Sequence, residues 1–219
     1  KFRHTLKSPC VSFWTNRVMK RFLVILSVLC FFACSTDVEL ALIGQEEKID
    51  AYISKTNFND SSVVFRNKGV NRVSLGFVHD VVEKTKDTII NGVTTQIKYY
   101  EDVPIKDTVY IDYGDSVYIY YAGYVFTSSP STLFATNVKE VAEAARWDMS
   151  VVDTLPKGIL FEEGALLQGL EYGLHNAREQ EHCLILFSAE YGFGNSKMYN
   201  IPKLSALSYE IIVDKVVKN

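Results

Sequence analysis

Hydrophobic and polar positions change period several times along the chain. An apolar run of 11 residues, interrupted only by Ser27, spans Phe22 to Phe32. Glu46 to Lys55 sets Ile49, Tyr52 and Ile53 on one helical face and predicts a short helix. From Val63 to Val103 the pattern is that of strands. Thr88-Ile89-Ile90, then Asn91-Gly92, then Val93 to Ile97 predicts a hairpin, because Asn-Gly supplies the positive φ of a type I′ turn. The hairpin reads as an elaboration at a sheet edge.

Asp107 to Phe126 predicts two strands about the turn Tyr113-Gly114-Asp115. In the second, Val117, Ile119, Tyr121 and Gly123 share one face, and Tyr118, Tyr120 and Ala122 the other. Asn137 to Met149 predicts an inserted helix, with Asn137 as cap, Glu140 at the capping-box position and Val138, Val141, Ala142 and Ala145 in one stripe. Trp147 is expected to pack that helix down; the alternative is that it folds back over a pocket. Gly164 to His175 predicts a short helix whose Leu166, Leu167, Leu170 and Leu174 form its apolar face. Strands follow at His182–Ser188 and Leu207–Val217, the latter alternating Leu207, Tyr209, Ile211 and Val213. Many strands and one central short helix give an α+β class, an antiparallel β-sheet wrapped around one short α-helix.

The apolar run at Phe22–Phe32 follows Met19-Lys20-Arg21 and precedes Ala33-Cys34, which is the grammar of a signal peptide. At 11 residues it is shorter than the roughly 20 that span a membrane. Phe31-Phe32-Ala33-Cys34 looks like a lipobox, so Cys34 is the expected lipid attachment site; a short anchor, or secretion with Cys34 unmodified, is the alternative. The chain divides into upstream residues and leader (1–33), lipid tether and short helix (34–60, the tether over 35–45), a strand and hairpin elaboration (61–105) and a main domain (106–219) with its inserted helix at 137–149. The expected location is the cell envelope, exported and membrane-anchored by lipid, with Ser35 after the cysteine leaning toward the outer membrane.

Removing the leader changes the charge. Six of the 23 basic residues and none of the 26 acidic ones lie in the first 33 positions, so the formal charge goes from −3 to −9. That argues against a nucleic-acid partner, which needs a basic face. Cys10 and Cys30 leave with the leader and Cys34 carries lipid, so Cys183 alone remains and no disulfide framework exists. Cys183 lies in an apolar run and reads as a small buried hydrophobe. Its neighbour His182 makes no nucleophilic pair with it, because adjacent strand residues point to opposite faces.

Several short motifs remain: Gly114-Asp115-Ser116-Val117, Tyr120-Tyr121-Ala122-Gly123, Leu166-Leu167-Gln168-Gly169-Leu170, Tyr191-Gly192-Phe193-Gly194, Ile201-Pro202 and Leu207-Ser208-Tyr209-Glu210. Together, in this order and spacing, they resemble the FKBP-type peptidyl-prolyl cis/trans isomerases. The resemblance implies a cup for a proline ring. Tyr121 matches the tyrosine of Tyr-Thr-Gly, and Phe134 the pocket phenylalanine. Leu166 and Leu167 match the Val-Ile pair, whose amides meet a bound carbonyl. Ile201 matches the isoleucine of Ile-Pro, and Tyr209 the phenylalanine of the last strand. The tyrosine of the family's Tyr-Gly falls on Phe193 by gap-free counting and on Tyr191 by matching the dipeptide; both stay open. Two departures stand out: Ala135 where the family has Asp, and Leu170 where the pocket floor is usually Trp.

No cofactor or metal is implied. Tyr191-Gly192-Phe193-Gly194 lacks the helix and Lys-Ser/Thr of a phosphate loop, and His79, His175 and His182 have no metal-ligand spacing. Glu162-Glu163 reads as an acidic approach to a helix N-terminus. The resemblance thus implies an isomerase or folding helper of the envelope, of modest activity, acting on proline-containing polypeptide clients. Ala135 and Leu170 favour the alternative, a catalytically inactive binding module in an envelope lipoprotein complex.

Overall fold

A computed structural model describes residues 37–58, 62–77, 81–90, 93–102 and 109–219. The leader, Cys34 and His79 lie outside these residues. Residues 44–219 belong to one compact unit, and 37–43 are the described part of another. Helix α1 covers 37–55, so the stretch expected to be a tether is helical from residue 37. Glu39-Leu40-Ala41-Leu42 are strong helix formers, and the single Gly44 costs about 1 kcal/mol against them. No described helix is long and apolar enough to cross a membrane.

The main sheet has seven antiparallel strands: β1 (Val63–Asn67), β2 (Val70–Phe77), β5 (Ser116–Phe126), β6 (Pro130–Thr136), β7 (Lys157–Leu160), β8 (Glu181–Phe187) and β9 (Ala206–Val217). Their order is β1-β2-β8-β9-β5-β6, with β7 paired to the first residues of β5. Helix α3 (Gln168–Leu174) lies against β2 and β8. The architecture is of the α+β class, an antiparallel sheet packed on one short helix.

Strand β8 explains its own unbroken apolar run. Cys183, Ile185 and Phe187 face the core that contains Leu170 and Leu174 of α3. Leu184 and Leu186 face the opposite side, where Ile49 and Ile53 of α1 cover them with Val73 and Phe126. A strand covered on both faces loses the alternation of a half-exposed one. The helix sits close because it carries two glycines one turn apart. A β-carbon at Gly169 would come 2.4 Å from Phe187 Cγ, and one at Gly173 2.4 Å from Ile185 Cγ2.

Buried polar groups tie the layers together. Arg72 of β2 is ion-paired to Glu181 at 3.2 Å and donates to the carbonyls of Gly173, His175 and Asn176, the free acceptors at the end of α3. In β9 the register skips Asp214, since Ile119 pairs Val213 and Tyr118 pairs Lys215. This bulge returns Val216 to the core side.

The structure corrects several expectations. Strands β3 (Val81–Ile90) and β4 (Val93–Asp102) pair in the hairpin register, Ile90 opposite Val93, but they form a separate two-stranded sheet and not the edge of the main one. The predicted turn residues Asn91 and Gly92 lie outside the described residues. Of the strand predicted before Tyr113, the described residues 109–112 show one bridge, Tyr110 with Arg178. Helix α2 covers only Lys139–Ala144, and Asn137 does not cap it. Its side chain instead accepts from Tyr121 N at 2.7 Å and donates to Ile119 O at 3.0 Å and Leu155 O at 2.9 Å. Buried strand groups took the amide that the helix N-terminus could have used. The short helix predicted from Gly164 begins at Gln168; Leu166 and Leu167 precede it.

Candidate functional site

A cavity of about 580 Å³ opens between the concave side of the sheet and the start of α3. Ile119 and Tyr121 reach it from β5, and Tyr209 and Ile211 from β9, each pair two residues apart on one strand face. Strand β6 contributes two consecutive residues, Phe134 and Ala135. A plain strand would send one of them to each face. Here the register skips Phe134, since Gly123 pairs Ala135 and Tyr124 pairs Leu133, so a β-bulge turns both into the cavity. Strand β7 adds Lys157, Gly158 and Ile159, the approach to α3 adds Ala165 and Leu166, and Leu170 comes from the helix itself. Phe193, Met198, Tyr199 and Ile201 close the wall from the segment between β8 and β9.

Of the nine candidate cup residues, seven share this cavity, Tyr121, Phe134, Leu166, Leu170, Phe193, Ile201 and Tyr209, and Ala135 lines it beside them. Leu167 and Tyr191 lie outside the lining. Leu167 precedes α3, where its carbonyl accepts from Leu170 N at 2.8 Å and Glu171 N at 3.0 Å, and its side chain packs on the core. Tyr191 sits in a 3₁₀ turn (Ala189–Tyr191) with its ring over Gly69 and beside Tyr172, 6.1 Å between centroids. Of the two residues left open, Phe193 lines the cavity and Tyr191 does not.

The rings interlock. Phe134 meets Tyr209 edge to face at 5.6 Å between centroids, and Tyr209 stacks on Phe187 at 6.0 Å. Burial pushes the Tyr209 phenol well up, with Tyr121 adding to the shift. Burial raises Tyr121 too, with the Asp153 carboxylate adding to it. Both phenols thus stay protonated at neutral pH and keep an O–H to donate. Among the described residues lining the cavity, Lys157 is the only charged one, at the position where β7 meets β5.

Ile119 and Ile211 were legible as neighbours of Tyr121 and Tyr209 on the same strand faces. Lys157–Ile159 were not, because a four-residue strand gives almost no periodic signal. Met198 and Tyr199 lie on a loop whose path the sequence does not encode locally. Among the described residues, no three metal-ligating side chains come together. The lining holds no nucleophile with a base beside it. It offers apolar surface, aromatic walls and three phenol donors, Tyr121, Tyr199 and Tyr209, which suits an uncharged compact ring and an amide taken out of water.

No protein-family model matches the chain, and no curated protein does. It is similar to the solved structure of FkpA from Escherichia coli, at 14% identity over 96% of this chain and 75% of that one, with a TM-score of 0.44. Against the three FKBP domains of wheat FKBP73 the values are 16%, 72%, 50% and 0.45, so this chain spans half of that one. Against a peptidyl-prolyl cis-trans isomerase from Pseudomonas syringae pv. tomato they are 13%, 82%, 96% and 0.48.

Proposed function

We propose that this chain is an FKBP-like peptidyl-prolyl cis/trans isomerase of modest activity, exported and held at the cell envelope by lipid on Cys34. The observation that carries the reading is the convergence of Tyr121, Phe134, Leu166, Leu170, Phe193, Ile201 and Tyr209 on one apolar cavity. An X–Pro bond turns over a barrier of about 18–20 kcal/mol, and unassisted it takes tens to hundreds of seconds. Twisting the amide removes its resonance, so a catalyst needs no nucleophile. It needs walls that hold the proline ring, exclude water and favour the twisted amide over the planar one. The phenol of Tyr121 can donate to a client carbonyl while the rings of Phe134, Phe193 and Tyr209 enclose the pyrrolidine.

A protease-coupled proline isomerisation assay on the full chain tests this. Slow turnover above the uncatalysed rate, reduced in Tyr121→Ala, supports it; a rate equal to the uncatalysed one rejects it. Ala135 and Leu170 favour a second reading, a binding module without catalysis. The cavity wall at 135 carries no carboxylate, and its floor carries no indole. Binding of a proline peptide with no gain in isomerisation supports that reading. The envelope assignment rests on Met19 to Cys34. It fails if Cys34→Ser leaves palmitate incorporation and membrane association unchanged.

A further inference from the structure

A second cavity of about 480 Å³ lies where β1 and β2 meet the segment that follows α3, and it shares no lining residue with the first. Val63 and Phe65 of β1, Phe77 of β2 and Tyr110 give it an apolar surface. Val63, Phe65 and Tyr110 are half-exposed, and β1 is the last strand of the sheet on this side.

One charge in this groove is unmatched. The guanidinium carbon of Arg178 stands 3.8 Å from the centre of the Phe77 ring, and both residues line the groove. Arg178 Nε is buried without an acceptor, and among the described residues nothing forms an ion pair or hydrogen bond with this guanidinium. The acidic groups beside it are engaged. Glu181 Oε1 pairs with Arg72 at 3.2 Å, and Oε2 accepts from the Arg178 backbone N at 2.8 Å. Glu179 Oε2 accepts from Val216 N at 2.7 Å. Ser74, 6% exposed, also lines the groove, and its hydroxyl has no partner among the described residues.

We infer that this groove binds a free monocarboxylic acid with an apolar body. Arg178 and the Ser74 hydroxyl hold the carboxylate, and Val63, Phe65 and Tyr110 cover the body. One unmatched positive charge calls for one negative charge, and the terminal nitrogens of a planar guanidinium match the two oxygens of a carboxylate. The volume is that of a small-molecule site, and an apolar lining with a few polar groups is the usual form of one. The inference does not depend on the proline reading of the first cavity.

Titration of the full chain with octanoate, octanamide and acetate tests it. Octanoate should bind. Octanamide keeps the body without the charge, acetate the charge without the body, and each should bind at least about tenfold more weakly. Arg178→Gln should bring octanoate down to the affinity of octanamide, and Phe65→Ser, on a half-exposed side chain, should weaken both alike. Equal affinity of wild type for octanoate and octanamide overturns the site, as does no binding of octanoate. A preference that survives Arg178→Gln does so too, and octanoate seated in the proline cavity would give that result. If Arg178→Gln does not fold, Phe65→Ser decides, and an octanoate affinity unchanged in that variant rejects the site. A leucine-ended peptide with a free carboxyl terminus serves as a fourth probe. If it binds about tenfold more tightly than octanoate and loses that in Arg178→Gln, the groove takes polypeptide ends and the free-acid assignment is overturned.

Discussion

Gly123 lies directly opposite Tyr209 in the β5–β9 ladder, and a β-carbon at 123 would stand 2.8 Å from Tyr209 Cε1 and 2.9 Å from Phe134 Cε2. The glycine of Tyr120-Tyr121-Ala122-Gly123 is therefore what lets two cavity walls close over strand β5. Gly123→Ala has to push both rings outward. It should cost about 1–3 kcal/mol, the usual penalty of overpacking, while proline-peptide affinity falls much further than stability. Urea unfolding and peptide titration on the same variant separate the two effects. Unchanged affinity would mean that the ring pair is not part of the binding surface.

Asn137→Ala leaves the Tyr121 N–H and the Ile119 and Leu155 carbonyls without their partner. Each buried group left unpaired costs about 1–3 kcal/mol, so a loss of about 3 kcal/mol in total is expected. Asn137→Asp keeps the acceptor for Tyr121 N but sets a buried carboxylate oxygen against the Ile119 and Leu155 carbonyls, so it should not recover the loss. A midpoint of urea unfolding that does not move in Asn137→Ala would contradict this account of the β5–β7 connection.

Arg72 and Glu181 form a buried pair whose arginine also satisfies the end of α3. Removing one partner strands the other, so Arg72→Met should cost about 3–5 kcal/mol. The double variant Arg72→Met, Glu181→Met should be less destabilised than the sum of the two single ones. Equal, additive losses would show that the two side chains act independently.

Much of this was readable from the chain, and the reason is local. The alternation of Val117, Ile119 and Tyr121, and of Leu207, Tyr209 and Ile211, fixes which side chains share a face, and those faces are the cavity. Asn137 misled because Asn137-Val138-Lys139-Glu140 has the chemistry of a helix start, and only the position of β5 shows that its amide is taken. Tyr191 against Phe193 could not be decided locally, since each follows from where a 3₁₀ turn leaves the strand. The joint entry of Phe134 and Ala135 depends on a bulge, which strand periodicity does not announce.

Glu210 on β9 accepts from His182 Nε2 at 2.8 Å, on the side of the sheet away from the cavity. That hydrogen bond, the largest cause, holds its carboxyl below the usual value of 4.5. A lowered carboxyl contributes stability that is complete above the usual value and is lost as pH falls through the lowered folded one. The stability difference between wild type and Glu210→Gln should therefore shrink as urea unfolding is repeated at progressively lower pH below 4.5. A difference that grows on acidification would reverse the sign and reject the assignment. Both side chains are partly exposed, so the effect should also weaken with salt.

The two departures in the cavity decide between catalysis and binding. Ala135 and Leu170 both line it, and the free volume of about 580 Å³ leaves space for larger groups at both positions. Ala135→Asp adds an acceptor on the same wall as Phe134, able to orient the Tyr121 phenol. Leu170→Trp adds a flat surface for the proline ring, at a cost of about 1–3 kcal/mol where the core of α3 is overpacked. If the chain is an isomerase that works by shape and desolvation, the double variant should turn over faster than wild type with proline-peptide affinity kept. If the double variant binds the peptide and stays at the uncatalysed rate, the remaining walls do not favour the twisted amide. The chain then acts through binding.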